Sequence, residues 1–269
     1  MQSFARGTVK QVLAVTGLLE PARYLRRKMR KISKLPAKHG WTSWTPLVPE
    51  RELIDCGENA VGRLRERGHE FGDYLEFGVS RGTSMACIHR VLVAQKMDQV
   101  RLIGFDSFEG IPPGADEEGW PEGHFASSVK ATQRYLSERG VPFDRTTLVK
   151  GWYKDTLNRE TRQQLGLKKA SLVMIDCDLY SASCAARFFC EPLIVDHAVI
   201  LFDDWGWREE VGEVGQKEAF DEFLGAFPEL SAEPLPSYFK HARVFLVERR
   251  TRSQLQQLKL GQALVKHLQ

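Results

Sequence analysis

The sequence has no apolar run long enough to span a bilayer, which excludes a helical membrane anchor. A short apolar patch, Val12 to Leu19, is interrupted by Thr16 and Gly17, and no small-residue cleavage site follows it. A signal peptide is therefore not expected. Cysteine is scarce: five residues, at positions 56, 87, 177, 184 and 190, with no C-x-x-C spacing. Their odd number, and the place of several in apolar segments, point to reduced, buried thiols and a cytoplasmic protein. Internal repeats and low-complexity tracts are also absent.

Acidic residues are scarce at both ends of the chain. Residues 1–38 hold ten Lys/Arg against Glu20 alone, and residues 249–269 hold five Lys/Arg and no acid. The whole chain carries +3, so the ends at +9 and +5 leave −11 on the middle. An acidic central domain with basic ends implies a separate task for the ends. The expected division is a basic amphipathic extension over 1–38, a catalytic domain over 39–248 and a basic helical tail over 249–269. Leu25, Met29 and Ile32 fall on one helical face among Arg23, Arg26, Arg27, Arg30 and Lys31. Such a helix docks its own domain, a second subunit or an anionic membrane surface. Nucleic acid is disfavoured, because only Tyr24 interrupts the basic run where single-strand binders interleave aromatics.

What the middle does contain is two acidic clusters after β-branched, apolar runs. Ser171 to Ile175 precedes Asp176-Cys177-Asp178-Leu179-Tyr180, and Ala198 to Phe202 precedes Asp203-Asp204-Trp205. The runs read as buried parallel strands. Open α/β sheets bind ligands at the C-terminal ends of such strands. Four carboxylates gathered there repel one another unless a proton or cation sits among them, and a divalent metal with oxygen ligands resolves this.

Upstream, Tyr74-Leu75-Glu76-Phe77-Gly78-Val79-Ser80-Arg81-Gly82-Thr83-Ser84 reads as strand, glycine loop and helix start. Gly78 and Gly82 let backbone approach a ligand, and Thr83 or Ser84 can cap the helix, whose N-terminus favours an anionic group. The spacing is G-x-x-x-G, not the dinucleotide G-x-G-x-x-G. The next strand, Val100 to Phe105, ends at Asp106, an acid placed to accept both ribose hydroxyls of an adenosine ligand.

With Phe105-Asp106-Ser107-Phe108-Glu109-Gly110-Ile111-Pro112 and Lys150-Gly151-Trp152-Tyr153-Lys154-Asp155-Thr156-Leu157, these motifs resemble the macrocin O-methyltransferase family over residues 70 to 248. The resemblance implies a Rossmann-like class I methyltransferase fold. That fold is a mostly parallel seven-stranded α/β sheet with helices on both faces and an antiparallel last strand at the sheet edge. It further implies S-adenosylmethionine (SAM) as donor, Mg²⁺ as second cofactor and a sugar hydroxyl as acceptor. By the same resemblance Asp176, Asp203 and Asp204 are the metal ligands and Asp178 the general base. Backbone at Gly78 and Gly82 should approach the methionine moiety, with Glu76 on its ammonium. Asp106 should hold the ribose, Ser107 and Phe108 should lie near the adenine, and Trp152 should form an adenine wall.

The rest of the pattern is βα alternation. Helices are expected near Arg51–Arg67, Thr83–Gln95, Val129–Arg139, Asp155–Leu165, Ser181–Ile194 and Gln216–Phe227, and Arg243 to Val247 reads as a closing strand. The Gly- and Pro-rich segment Ser107 to Ser128 has the length of an active-site lid and carries His124, which could face the acceptor. Three other functions fit parts of the pattern: a phenol or catechol O-methyltransferase, an NAD-dependent oxidoreductase and a non-catalytic scaffold. Val195-Asp196-His197-Ala198 lacks the Gly-rich turn that many class I methyltransferases carry before the fifth strand.

Overall fold

The computed structural model describes residues 48–115, 121–206, 212–251 and 253–256. The amphipathic stripe at Leu25, Met29 and Ile32 lies outside them, as does most of the basic C-terminal tail. Chain order is α1 (Glu50–Glu66), β1 (Asp73–Phe77), α2 (Thr83–Ala94), β2 (Leu102–Asp106), α3 (Val129–Glu138) and β3 (Thr146–Lys150). There follow α4 (Tyr153–Thr156), α5 (Arg159–Gln164), β4 (Ala170–Ile175), α6 (Tyr180–Cys190), β5 (His197–Phe202), α7 (Gln216–Ala226), β6 (Leu230–Leu235) and β7 (Arg243–Arg249). No helix among the described residues is long and apolar enough to cross a membrane.

The strands form one seven-stranded sheet in the order β3-β2-β1-β4-β5-β7-β6. The first five are parallel, with Leu75 paired to Ile103 on one side and to Val173 on the other. The chain order reverses between β1 and β4, which opens the crevice where such sheets bind ligands. β7 runs antiparallel to both β5 and β6. The antiparallel strand expected at the edge therefore sits one place inside it, and the edge belongs to β6. That strand carries Pro234, a residue an edge strand tolerates because it donates no ladder hydrogen bond.

Alternation along each strand sends side chains to two cores. Tyr74, Leu172, Met174, Val199 and Leu201 pack on one face with Leu53 of α1 and Met85 and Ile88 of α2. Phe77, Phe105, Ile175 and Phe202 pack on the other with Phe189 of α6 and Phe220 and Phe223 of α7. Each such buried side chain contributes about 1.5–3 kcal/mol. The helix expected over Asp155–Leu165 is two short ones. Asn158 breaks the run and caps the second, its side chain accepting from the Thr161 amide at 2.8 Å. The helix expected to reach Ile194 stops at Cys190, because Pro192 follows and carries a single 3₁₀ turn instead.

Candidate active site

The C-terminal ends of β1, β2, β4 and β5 open into one cavity of about 800 Å³. Gly78, Asp106, Ser107, Trp152, Asp176, Asp178, Asp203 and Asp204 all line it. Gly78 follows β1 at φ 91°, where a Cβ would lie 1.6 Å from the Asp176 carbonyl oxygen. A glycine at this point lets the β1 end pass against the β4 end and brings the two halves of the site together.

On the acidic side, one ligand atom from each of Asp176, Asp203 and Asp204 lies within 4.8 Å of the others. Asp176 and Asp203 end their strands side by side, and the Asp203 amide donates to the Ile175 carbonyl at 3.1 Å. Burial first, then Asp203 and Asp204, push the Asp176 carboxyl well above the usual carboxylate range. Burial also raises Asp203, against the opposing pull of Tyr238 and His241. Crowded oxygen donors, two half-buried and one buried, are a donor set that suits Mg²⁺, so these residues fit the expected ion. Asp178 stands beside this trio. It adopts φ 58°, and its amide donates to Oδ2 of Asp204 at 2.9 Å. That turn ties the proposed base to a proposed ligand.

On the cofactor side, Asp106 is held by backbone. Its Oδ2 accepts from the Ser80 amide at 2.7 Å and its Oδ1 from the Phe108 amide at 2.5 Å. Burial raises its pKa and these donors lower it, with burial the larger effect. Ser107 donates to the Gly110 carbonyl at 3.0 Å, and Trp152 heads α4.

Five expected cofactor contacts do not reach the cavity lining: Glu76, Gly82, Thr83, Ser84 and Phe108. Glu76 points from β1 into the α2 face and is fully buried. Its carboxylate accepts from the Tyr74 hydroxyl and from the Ser84 hydroxyl, the latter at 2.7 Å. Burial pushes its pKa up to about 7. Ser84 thus spends its hydroxyl on Glu76, and Gly82 in the left-handed region, without a side-chain cap, starts α2. Phe108 packs into the α1–α2 core.

The described ends of the Ser107 to Ser128 segment line the cavity and meet in a small backbone pairing. Ile111 donates to the His124 carbonyl at 2.9 Å and Gly123 to the Ile111 carbonyl at 2.9 Å. Ile111 and Ala115 pack on Leu179, and His124 lines the cavity. Ser80 joins lid and cofactor loop by donating from Oγ to the Phe125 carbonyl at 3.0 Å. His197 sits at the opposite end of the sheet, 3.6 Å from Glu248 and ring to ring with His69.

Two residues of the site carried no signal in the sequence. Gln216, almost fully buried at the start of α7, accepts from the Asp204 amide and donates to the Ile175 carbonyl, each at 3.1 Å. It clips the ends of β4 and β5 together. Tyr238, in the β6–β7 connection, donates its hydroxyl to Oδ1 of Asp203.

Residues 52–223 match the Macrocin-O-methyltransferase (TylF) family. The 8-demethyl-8-(2,3-dimethoxy-alpha-L-rhamnosyl)-tetracenomycin-C 4'-O-methyltransferase of Streptomyces olivaceus is 28% identical over 143 residues, 50% of this chain and 53% of that protein. The mycinamicin III 3''-O-methyltransferase of Micromonospora griseorubida is 25% identical over 175 residues, 60% of this chain and 65% of that protein. The matches thus span roughly half to two thirds of these curated relatives. In fold, the chain is similar to the O-methyltransferase NovP, with a TM-score of 0.60 and 20% identity over 75% of this chain and 80% of that one.

Proposed function

This chain belongs to the macrocin-O-methyltransferase family, and on that premise we propose that it moves a methyl group from SAM to a sugar hydroxyl. The acceptor class is a glycan, glycolipid or glycosylated natural product. The observation that carries this reading is the meeting of Asp106 with the trio Asp176, Asp203 and Asp204 in one cavity. A ribose-binding acid and a group of oxygen donors in one space serve a donor nucleoside and an acceptor hydroxyl together. Both curated relatives are named as O-methyltransferases, which agrees with the same reading.

Methyl transfer is an in-line displacement. The acceptor oxygen forms a bond to the methyl carbon while the carbon–sulfur bond breaks, and the electron pair leaves on sulfur as the thioether of S-adenosylhomocysteine. The protein must align the two partners and take up the hydroxyl proton. In this assignment Asp106 holds the ribose and the backbone at Gly78 leaves room for the donor. Asp178 receives the proton. Asp176, Asp203 and Asp204 would hold a divalent cation that, when bound, offsets most of the trio's charge and lowers the pKa of an acceptor hydroxyl. The lid around Ile111 and His124 excludes water from the transfer. An NAD-dependent oxidoreductase and a non-catalytic scaffold do not follow from this family membership.

Calorimetry with SAM, S-adenosylhomocysteine and NAD tests the donor, and transfer of labelled methyl from SAM onto a panel of glycosides and catechols tests the acceptor. The expected outcome is binding of the two adenosyl sulfur compounds but not NAD, with label on glycosides that chelator abolishes and Mg²⁺ restores. Label on catechols alone, or transfer undiminished in excess chelator, contradicts the assignment.

A further inference from the structure

We infer that Tyr238 is a positioning residue for the acidic trio, fixing the Asp203 carboxylate from the β6–β7 connection. The inference rests on the metal assignment made above for Asp176, Asp203 and Asp204. Tyr238 is almost fully buried, and its hydroxyl donates to Oδ1 of Asp203. The same hydroxyl lies 4.0 Å from the sulfur of Met174, a weak second acceptor. Its ring packs against Phe239 at a centroid separation of 5.3 Å and belongs to the α1–α2 core. The phenol therefore arrives on a braced side chain.

The connection itself is anchored at several points. Gly206, just beyond the acidic cluster, donates its amide to the His241 carbonyl at 2.8 Å. A Cβ at Gly206 would meet the His241 Cα at 3.0 Å, so the two segments are in close contact. Cys56 of α1 reaches the Pro236 carbonyl at 3.6 Å. β7 pairs directly with β5, Phe202 opposite Arg243, and this pairing brings the connection to the end of β5 where Asp203 lies.

A carboxylate has two oxygens and a rotatable terminal torsion. Near two other carboxylates it will turn away from them unless something holds it. A neutral donor on one oxygen limits that rotation and stabilises the charged form without adding a cation. Partners that orient metal ligands in this way change metal affinity by about 10- to 100-fold when lost. Gln216 works differently, since its hydrogen bonds are to backbone and it clips strands rather than carboxylates.

The test is Tyr238→Phe in the full chain, which removes the hydroxyl and keeps the ring. Binding of Mn²⁺ alone is measured by calorimetry, beside calorimetric titration of SAM. Tyr238→Phe is expected to weaken Mn²⁺ at least tenfold and to leave SAM affinity within twofold. Thermal unfolding of the metal-free protein supplies a second readout that does not depend on the ion. In a cycle with Asp203→Ala, which removes the acceptor, the two substitutions should be non-additive in thermal stability, because each removes the same bond. Mn²⁺ bound equally by wild type and Tyr238→Phe overturns the role given to Tyr238, as does strict additivity in the cycle. Wild-type protein that binds no Mn²⁺ overturns the metal assignment itself, and this inference with it.

Discussion

Glu76→Gln should make the protein more stable at alkaline pH and change little at acid pH. Glu76 is fully buried, and desolvation pushes its pKa from an ordinary 4.5 up to about 7. A group whose folded pKa lies above its unfolded value favours folding below the unfolded value. That contribution is lost as pH rises through the folded one. The window is thus about pH 4.5 to 7, and the displacement corresponds to about 3 kcal/mol once the carboxylate is ionised in the fold. Glutamine does not titrate. Its oxygen can accept from one of the Tyr74 and Ser84 hydroxyls, while its amide donates to the other. Denaturant unfolding of both proteins at pH 5 and pH 8.5 reads the effect. The two should agree within about 1 kcal/mol at pH 5, and the variant should lead by about 3 kcal/mol at pH 8.5. Asp106, Asp176 and Asp203 interact electrostatically with Glu76, so the gap reads the Glu76 charge together with their response to it. A gap of the same size at both pH values would refute the claim that Glu76 pays for its charge in the fold.

Two further outcomes concern the site and a third the basic N-terminal segment. Gly78→Ala places a Cβ 1.6 Å from the Asp176 carbonyl at a left-handed backbone position, so it should cost several kcal/mol or abolish folding, read by circular dichroism and denaturant titration. Asp106→Ala removes up to two charge-assisted hydrogen bonds to a ribose, about 1.5–3 kcal/mol each, and calorimetry should show SAM affinity falling by tenfold or more. Deleting residues 1–38 removes ten Lys/Arg. It should leave SAM binding intact while changing mass in solution or salt-sensitive vesicle association, at about 1 kcal/mol per basic residue near an anionic surface; a collapse of SAM binding assigns the segment to the active-site cover instead.

The sheet was legible because β1, β2, β4 and β5 are buried on both faces and read as mainly apolar runs, whereas β3 is partly exposed and more polar. β6 was not legible. Leu230-Ser231-Ala232-Glu233-Pro234-Leu235 has one face on the core and a free edge, so polar residues and a proline interrupt it. The acids at the strand ends were legible for a chemical reason: charged residues directly after buried strands need a partner or a ligand. Their supports were not. Gln216 and Tyr238 are unremarkable residues in a helix start and a loop, and only the tertiary fold brings them to Asp204 and Asp203. Glu76 lies where its sequence position did not indicate. Its place beside the glycine loop suggested a ligand contact, yet strand alternation turns it into the α2 face, where Tyr74 and Ser84 take both of its oxygens.

The central claim is that the carboxylates at the ends of β2, β4 and β5 hold donor and ion in one cavity. A crystal structure of the protein with S-adenosylhomocysteine and Mg²⁺ tests it most directly. The predicted result is ribose hydroxyls on Asp106, an ion on Asp176, Asp203 and Asp204, and Asp178 facing the open side of the sulfur. S-adenosylhomocysteine bound away from Asp106, or a saturating Mg²⁺ soak that leaves the trio without an ion, would contradict it.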